Sequence, residues 1–214
     1  MHHFIFPTKD SWISSGSNKV TGVTEQDQNF GQDQILELKK FFYNSSFDYP
    51  TRALIDFKGT DFTSLSSSIS SGDITNPTFY LRLYEAEGNQ ELSTEYSLAA
   101  FPLSASWDEG IGKFGDSPKV TDGVSWRNRN NKTGAAATTW SGSGASYISS
   151  SIMSTGLASQ SFANESPDIN MNVTAIVNNW LNGTHSPLGA VPNYGFLLRF
   201  SGSQETDSTT FGQL

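Results

Sequence analysis

Residues 106–110 run Ser106-Trp107-Asp108-Glu109-Gly110, an indole beside two carboxylates. Paired carboxylates can act as general acid and base around a scissile bond, provided that both face the same gap. Adjacent residues on an extended chain point to opposite sides. Asp108 and Glu109 therefore read as solvated acids beside a loop-packing tryptophan. Nucleophilic catalysis has equally little support. There is no cysteine, and a serine nucleophile needs a histidine base. The histidines are His2, His3 and His185, with His185 expected in a turn after a helix. Ser141-Gly142-Ser143-Gly144 reads as a flexible loop and not as the Gly-x-Ser-x-Gly turn that presents a nucleophile. No catalytic residue is assigned, and the expectation is a protein that is not an enzyme.

Ligand binding without chemistry is a better match to the side chains. An exposed indole can stack on the C–H face of a sugar. Trp126, in Val124-Ser-Trp-Arg-Asn128, and Trp140, in a polar stretch between Thr139 and Ser141, are the candidate glycan-binding residues. Trp140 is the one expected to be most exposed, whereas Trp126 is expected to anchor a loop. Trp12 and Trp180 lie on the apolar faces of their elements and read as core. No cofactor is implied. Calcium is the one metal with candidate ligands, because it takes six to eight oxygens from carboxylates, amides and carbonyls. Asp27, Asn29, Asp33 and the Asp116–Asp122 loop carry such oxygens. Their spacing is not diagnostic, so the metal stays unassigned.

Composition narrows the partners. The chain has 214 residues, a net charge of −8 and only 16% charged residues, against 13% aromatic. An acidic surface repels phosphate backbones, so nucleic acid is not expected as a partner. No apolar run approaches the roughly 20 residues that span a bilayer, so no membrane insertion is expected. Ser, Thr, Asn, Gln and Gly replace the missing charges. That mixture suits extracellular β-modules and the neutral contacts between subunits of virus particles.

The elements that must position these residues are mostly strands. Phe4–Phe6, Ser11–Ile13, Ile35–Leu38 continuing toward Phe41–Tyr43, Arg52–Phe57, Thr78–Tyr84, Tyr96–Leu103 and Gly195–Phe200 carry strand patterns, the last being the final clear one before Phe211–Leu214. In Thr78–Tyr84, period two places Phe79, Leu81 and Leu83 on one face. Tyr80, Arg82 and Tyr84 fall on the other. Val173, Ile176, Val177, Trp180 and Leu181 follow the helical spacing instead. They predict one short helix near residues 173–182, with Asn172 as its N-cap and Gly183 past its end. Short helical turns at Tyr49–Thr51 and within Phe62–Ile69 are a weaker reading. The stretches Asp108 to Ala137 and Trp140–Ser161 read as long loops of the functional or mobile kind. Many strands and one short helix predict an all-β sandwich built as a single domain over residues 1–214.

Read in order, these pieces resemble the DNRLRE-type domain, a disaggregatase-related β-sandwich module of secreted proteins. The matching segments are Asp10-Ser-Trp-Ile13, Asn29-Phe-Gly leading to Ile35-Leu-Glu-Leu38, Arg52-Ala-Leu-Ile-Asp-Phe57 and Phe79-Tyr-Leu-Arg-Leu-Tyr84. They continue with Trp107-Asp-Glu109, Ser125-Trp-Arg-Asn128, Asn172-Val-Thr-Ala-Ile-Val-Asn-Asn-Trp180 and Asn193-Tyr-Gly-Phe-Leu-Leu198. No single match is specific; their order over residues 10 to 200 carries the resemblance. It implies a jelly-roll β-sandwich, with carbohydrate binding in some relatives and no transferable catalytic residue. It also implies that the tryptophans define the framework. The helix cap departs from the family pattern, being Asn172 where the family has Asp. The family adds a strand after the segment matching Phe211-Gly-Gln-Leu214, so the domain is expected either to continue or to take that strand from another chain.

The leading functional expectation is a non-enzymatic structural or adhesive component of a bacteriophage virion, on the tail, neck or head surface. The segment Met1-His-His-Phe-Ile-Phe-Pro7 does not read as a secretory signal, although the module type is extracellular. Assembly in the cytoplasm and work outside the cell would reconcile the two. Expected partners are other virion proteins or copies of the chain itself as a homo-oligomer, and host surface glycan. The alternative is a carbohydrate-binding module of a secreted multidomain protein. A polysaccharide lyase or hydrolase on the same scaffold is the weakest of the three readings.

Overall fold

A computed structural model describes residues 2–16, 24–43, 46–86, 95–149, 158–163, 168–182 and 192–206, with the backbone alone at 41–43, 46–48 and 182. The strands are β1 (Pro7–Ser14), β2 (Lys40–Tyr43), β3 (Ser46–Phe57), β4 (Tyr80–Leu83), β5 (Tyr96–Pro102), β6 (Asn128–Asn130), β7 (Thr138–Thr139), β8 (Ala158–Phe162), β9 (Ile169–Asn172) and β10 (Phe196–Phe200). Two helices, α1 (Gly59–Ser70) and α2 (Thr174–Asn182), and a 3-10 turn at Gly202–Glu205 complete the described elements. The fold is an all-β sandwich of antiparallel sheets.

The main sheet runs β1-β3-β10-β5-β8, with β2 paired to the first half of β3. Tyr49, at a φ of 62°, and Pro50 divide β3. Up to Pro50 the strand pairs with β2, and from Thr51 on it pairs with β1 and β10. Proline has no N–H to give a ladder, and the Pro50 carbonyl accepts from the Ser15 N–H at 3.2 Å where the strand passes to β1.

The central strands are apolar on both faces. Ala53, Ile55, Leu98, Ala100, Phe196 and Leu198 point to one side, into a core closed by Leu81 of β4, Met171 of β9 and Ile176 and Val177 of α2. The alternate residues Leu54, Ala99, Phe101 and Leu197 point to the other. There they meet Trp107, Val124, Trp140 and Ala145, which come from the connections between strands. The sheet is therefore buried twice, once under β4–β9 and α2, and once under loops. This explains why segments such as Phe196-Leu-Leu-Arg-Phe200 read as apolar runs and not as strict alternations.

Several expectations change. Phe4–Phe6 is not strand; β1 begins at Pro7, and Phe4 and Phe6 are exposed. Ile35–Leu38 is irregular, and pairing starts at Lys40. The helical reading of Phe62–Ile69 becomes a full helix, α1, so the described residues hold two helices where one was predicted. The predicted helix at 173–182 is α2, and Asn172 caps it, its side-chain oxygen accepting from the Thr174 N–H at 3.0 Å. The long Asp108–Ala137 stretch gives Val124 and Trp126 to the second core. Gly183, His185 and Phe211–Leu214, including the expected open edge, lie outside the described residues. Among the described residues, no helix is long and apolar enough to cross a membrane.

Candidate functional site

The two tryptophans expected to bind glycan occupy other roles. Trp140 is 5% exposed, and its indole N–H donates to the Ser125 carbonyl at 3.0 Å. Its polar sequence neighbours stay outside while the ring turns inward, so the expected exposure is corrected. Trp126 is half-buried, with the Arg52 guanidinium 4.8 Å over its ring. A Cβ at Gly144 would stand 2.7 Å from that ring, so the 140s loop lies flat on Trp126. Trp107 is 2% exposed and donates to the Tyr194 carbonyl. Trp12 is core as expected, stacked on Phe30 with centroids 3.7 Å apart. Trp180 is half-buried, edge-on to Phe62 and tilted against Phe196.

The acids and amides considered for calcium are already engaged. Asn29 is fully buried and donates to the carbonyls of Glu109 and Val124 at 2.6 and 2.8 Å. Its oxygen accepts from the backbone of Gly31 and Gly112. Asp33 accepts from the Trp12 indole and the Phe114 N–H. Asp27 pairs with Arg127, Asp116 accepts from the Lys113 N–H, and Asp122 accepts from Thr133. They organise loops and do not converge. Among the described residues, no three His, Cys, Asp or Glu side chains are grouped as a metal site. Asp108 and Glu109 do separate things: Asp108 pairs with Lys132, and Glu109 accepts the Asp10 N–H. Burial pushes the Asp10 carboxyl above its ordinary value of 3.8.

Sequence reading missed a buried ionic cluster. Continuing the β3–β10 register beyond Leu198 and Ala53 sets Arg199 opposite Arg52, and like charges directly opposite repel. Glu205, from the 3-10 turn, joins them: it accepts from Arg52 twice at 2.8 Å and lies 2.6 Å from Arg199. Arg199 also donates to the Tyr147 hydroxyl at 2.7 Å, and Arg52 to the Gly144 carbonyl. Arg52 lies 153 residues before Glu205, so no local spacing announces the cluster.

A set of exposed side chains with recognition chemistry lies on β4 and β9 and on the residues just past them, Tyr84 and Asp168. Tyr80 is opposite Asn172 and Arg82 opposite Asn170, and the same register brings Tyr84 level with Asp168. All six face solvent, Tyr80 at 52% and Tyr84 at 76% exposure. The inward residues Leu81, Leu83, Ile169 and Met171 are held by the core, which fixes the outward set by period two. Asn170 accepts from the Arg82 Nε at 3.1 Å, and Gln160 of β8 bonds both the Asn170 N–H and the Asp168 carbonyl. The phenols, the two amide NH2 groups and the terminal guanidinium nitrogens make no bond to another described residue. The result is a grid of aromatic faces and free donors on a tethered two-stranded sheet. The periodicity of Thr78–Tyr84 already separated Tyr80, Arg82 and Tyr84 from the core; their partners on β9 came only with the pairing.

Compared with known proteins, the chain matches no family model, no curated protein and no solved structure.

Proposed function

We propose that this chain is a non-enzymatic structural or adhesive component of a bacteriophage virion surface, contacting other virion proteins or copies of itself and presenting the β4–β9 face to host surface glycan. The observation that carries the adhesive part is the solvent-facing grid of Tyr80, Arg82 and Tyr84 beside Asn172, Asn170 and Asp168. A sugar offers an apolar C–H face and a rim of hydroxyls. Phenol rings suit the first, and amide and guanidinium donors the second. Tyr80 and Tyr84 lie about 13 Å apart along the strand, so the face is long enough for an oligosaccharide and not merely one ring. The low charge and neutral polar surface support a subunit among subunits. A jelly-roll topology and membership of the DNRLRE-type domains remain part of the same proposal, on the ordered motifs.

Retention on an oligosaccharide array tests the adhesive part. The Tyr80→Ala, Tyr84→Ala double variant is expected to lose at least about tenfold in retention while its stability changes by less than about 0.5 kcal/mol, as exposed substitutions do. Retention unchanged by the double variant would overturn it. Genomic neighbours test the setting: portal, sheath or capsid genes support a virion, and glycosidase genes support a secreted carbohydrate-binding module.

A further inference from the structure

We infer that the groove between α1 and α2 is a binding site for a neutral saccharide unit. The groove encloses about 380 Å³, within the range of small-molecule sites, roughly 300–1,000 Å³. Its polar lining is Ser66 and Ser70 from α1, Asn76 from the turn beyond it, and Asn178 from α2. Its apolar lining is Ile69, Pro77 and Leu181. No lining residue is charged, which selects against ions as ligands.

The hydroxyls of α1 divide according to where they point. Thr63, Ser64 and Ser67 donate to the carbonyls of Gly59, Thr60 and Thr63, one turn back. Ser66 and Ser70, one turn apart along the groove, make no such bond. Nor is either asparagine side chain bonded to another described residue. Asn76 takes a φ of 47°, in the left-handed region that asparagine tolerates, and this turn brings it and Pro77 into the wall. Four unused hydrogen-bonding groups around an apolar floor match a ring with hydroxyls on its rim and C–H bonds on its face. Pro77 precedes Tyr80 by three residues, so at most about 11 Å of chain separates the groove from the β4–β9 grid.

The choice of a sugar rests on the adhesive reading, whereas the groove itself does not. The experiment is a titration of the isotopically labelled chain, followed by amide chemical shifts, with N-acetylglucosamine, galactose and glucose, and with glucuronate as the charged comparison. At least one neutral sugar is expected to shift Ser66, Ser70, Asn76 and Asn178, and to do so more strongly than glucuronate. The Ser66→Ala, Ser70→Ala variant introduces better helix formers, so loss of folding does not confuse the result. It is expected to weaken binding roughly tenfold, and Asn178→Ala tests the opposite wall in the same way. Absence of groove shifts, equal response to glucuronate, or equal affinity in the serine variant overturns the inference. A silent groove with array retention still dependent on Tyr80 and Tyr84 removes this site alone. A responsive groove with no such dependence removes the β4–β9 reading alone.

Discussion

Removing the Asn29 side chain would strand four backbone groups at once. The carbonyls of Glu109 and Val124 and the N–H groups of Gly31 and Gly112 all end on one buried amide. Gly110 packs flat against that amide: a Cβ there would stand 2.4 Å from the Asn29 oxygen and 2.2 Å from the Asp122 carbonyl. Asn29→Ala is expected to cost roughly 3 kcal/mol or more, read as a lower urea midpoint with the slope unchanged. Asp10 gives the opposite sign. Burial raises its carboxyl pKa in the fold, so its contribution is fully present below the unfolded value of 3.8 and is lost as pH rises through the folded value. Asp10→Asn is therefore expected to melt higher than the parent at neutral pH. The gap should close as pH falls below the ordinary carboxylate range, which melting curves across pH 3 to 8 would check. Neither role was legible from residue type. Asn29 and Asp33 carry the oxygens that calcium prefers, and only their partners show that those oxygens are spent on loops.

Among the elements, the 3-10 turn depends on a contact made across the whole chain. Glu205 lies between Arg52 and Arg199, three side chains that are all largely removed from water. Truncating it leaves two cations side by side in a low-dielectric site. Glu205→Ala is expected to cost about 3–5 kcal/mol, measured by denaturant unfolding. The elements that sequence reading placed well are those whose period survives burial. α2 follows from Val173, Ile176, Val177, Trp180 and Leu181, and Asn172 caps it as expected. β3, β5 and β10 follow from their apolar runs. α1 was harder to see because it has no buried residue and is rich in serine, so no continuous apolar stripe marks it. Ile35–Leu38 misled in the other direction. It alternates like a strand, but no neighbouring strand pairs with it, and alternation without a partner does not make a sheet.

At the scale of the molecule, the main sheet carries a core on each face, and the covers differ. One is β4–β9 with α2, an ordinary second layer whose outward side is the Tyr80–Tyr84 grid. The other is built from connections, pinned by Asn29, Trp107 and Trp140. This arrangement sets the large aromatic rings apart from the exposed ones. Trp126 and Trp140 belong to the loop cover, where a large ring fills the space that short elements leave. The smaller, amphipathic Tyr80 of β4 and Tyr84 just past it remain outside, because period two gives the inward positions to Leu81 and Leu83. The sequence by itself determined the β class, the main strands, the capped helix at 173–182 and the separation of Tyr80, Arg82 and Tyr84 from the core. These depend on local period and capping, which neighbouring residues specify. The tertiary structure decided that Trp140 is buried, that Arg52 and Arg199 share Glu205, and that Asn170 and Asn172 join the tyrosines. Those outcomes depend on register between segments up to about 150 residues apart, which no local pattern encodes.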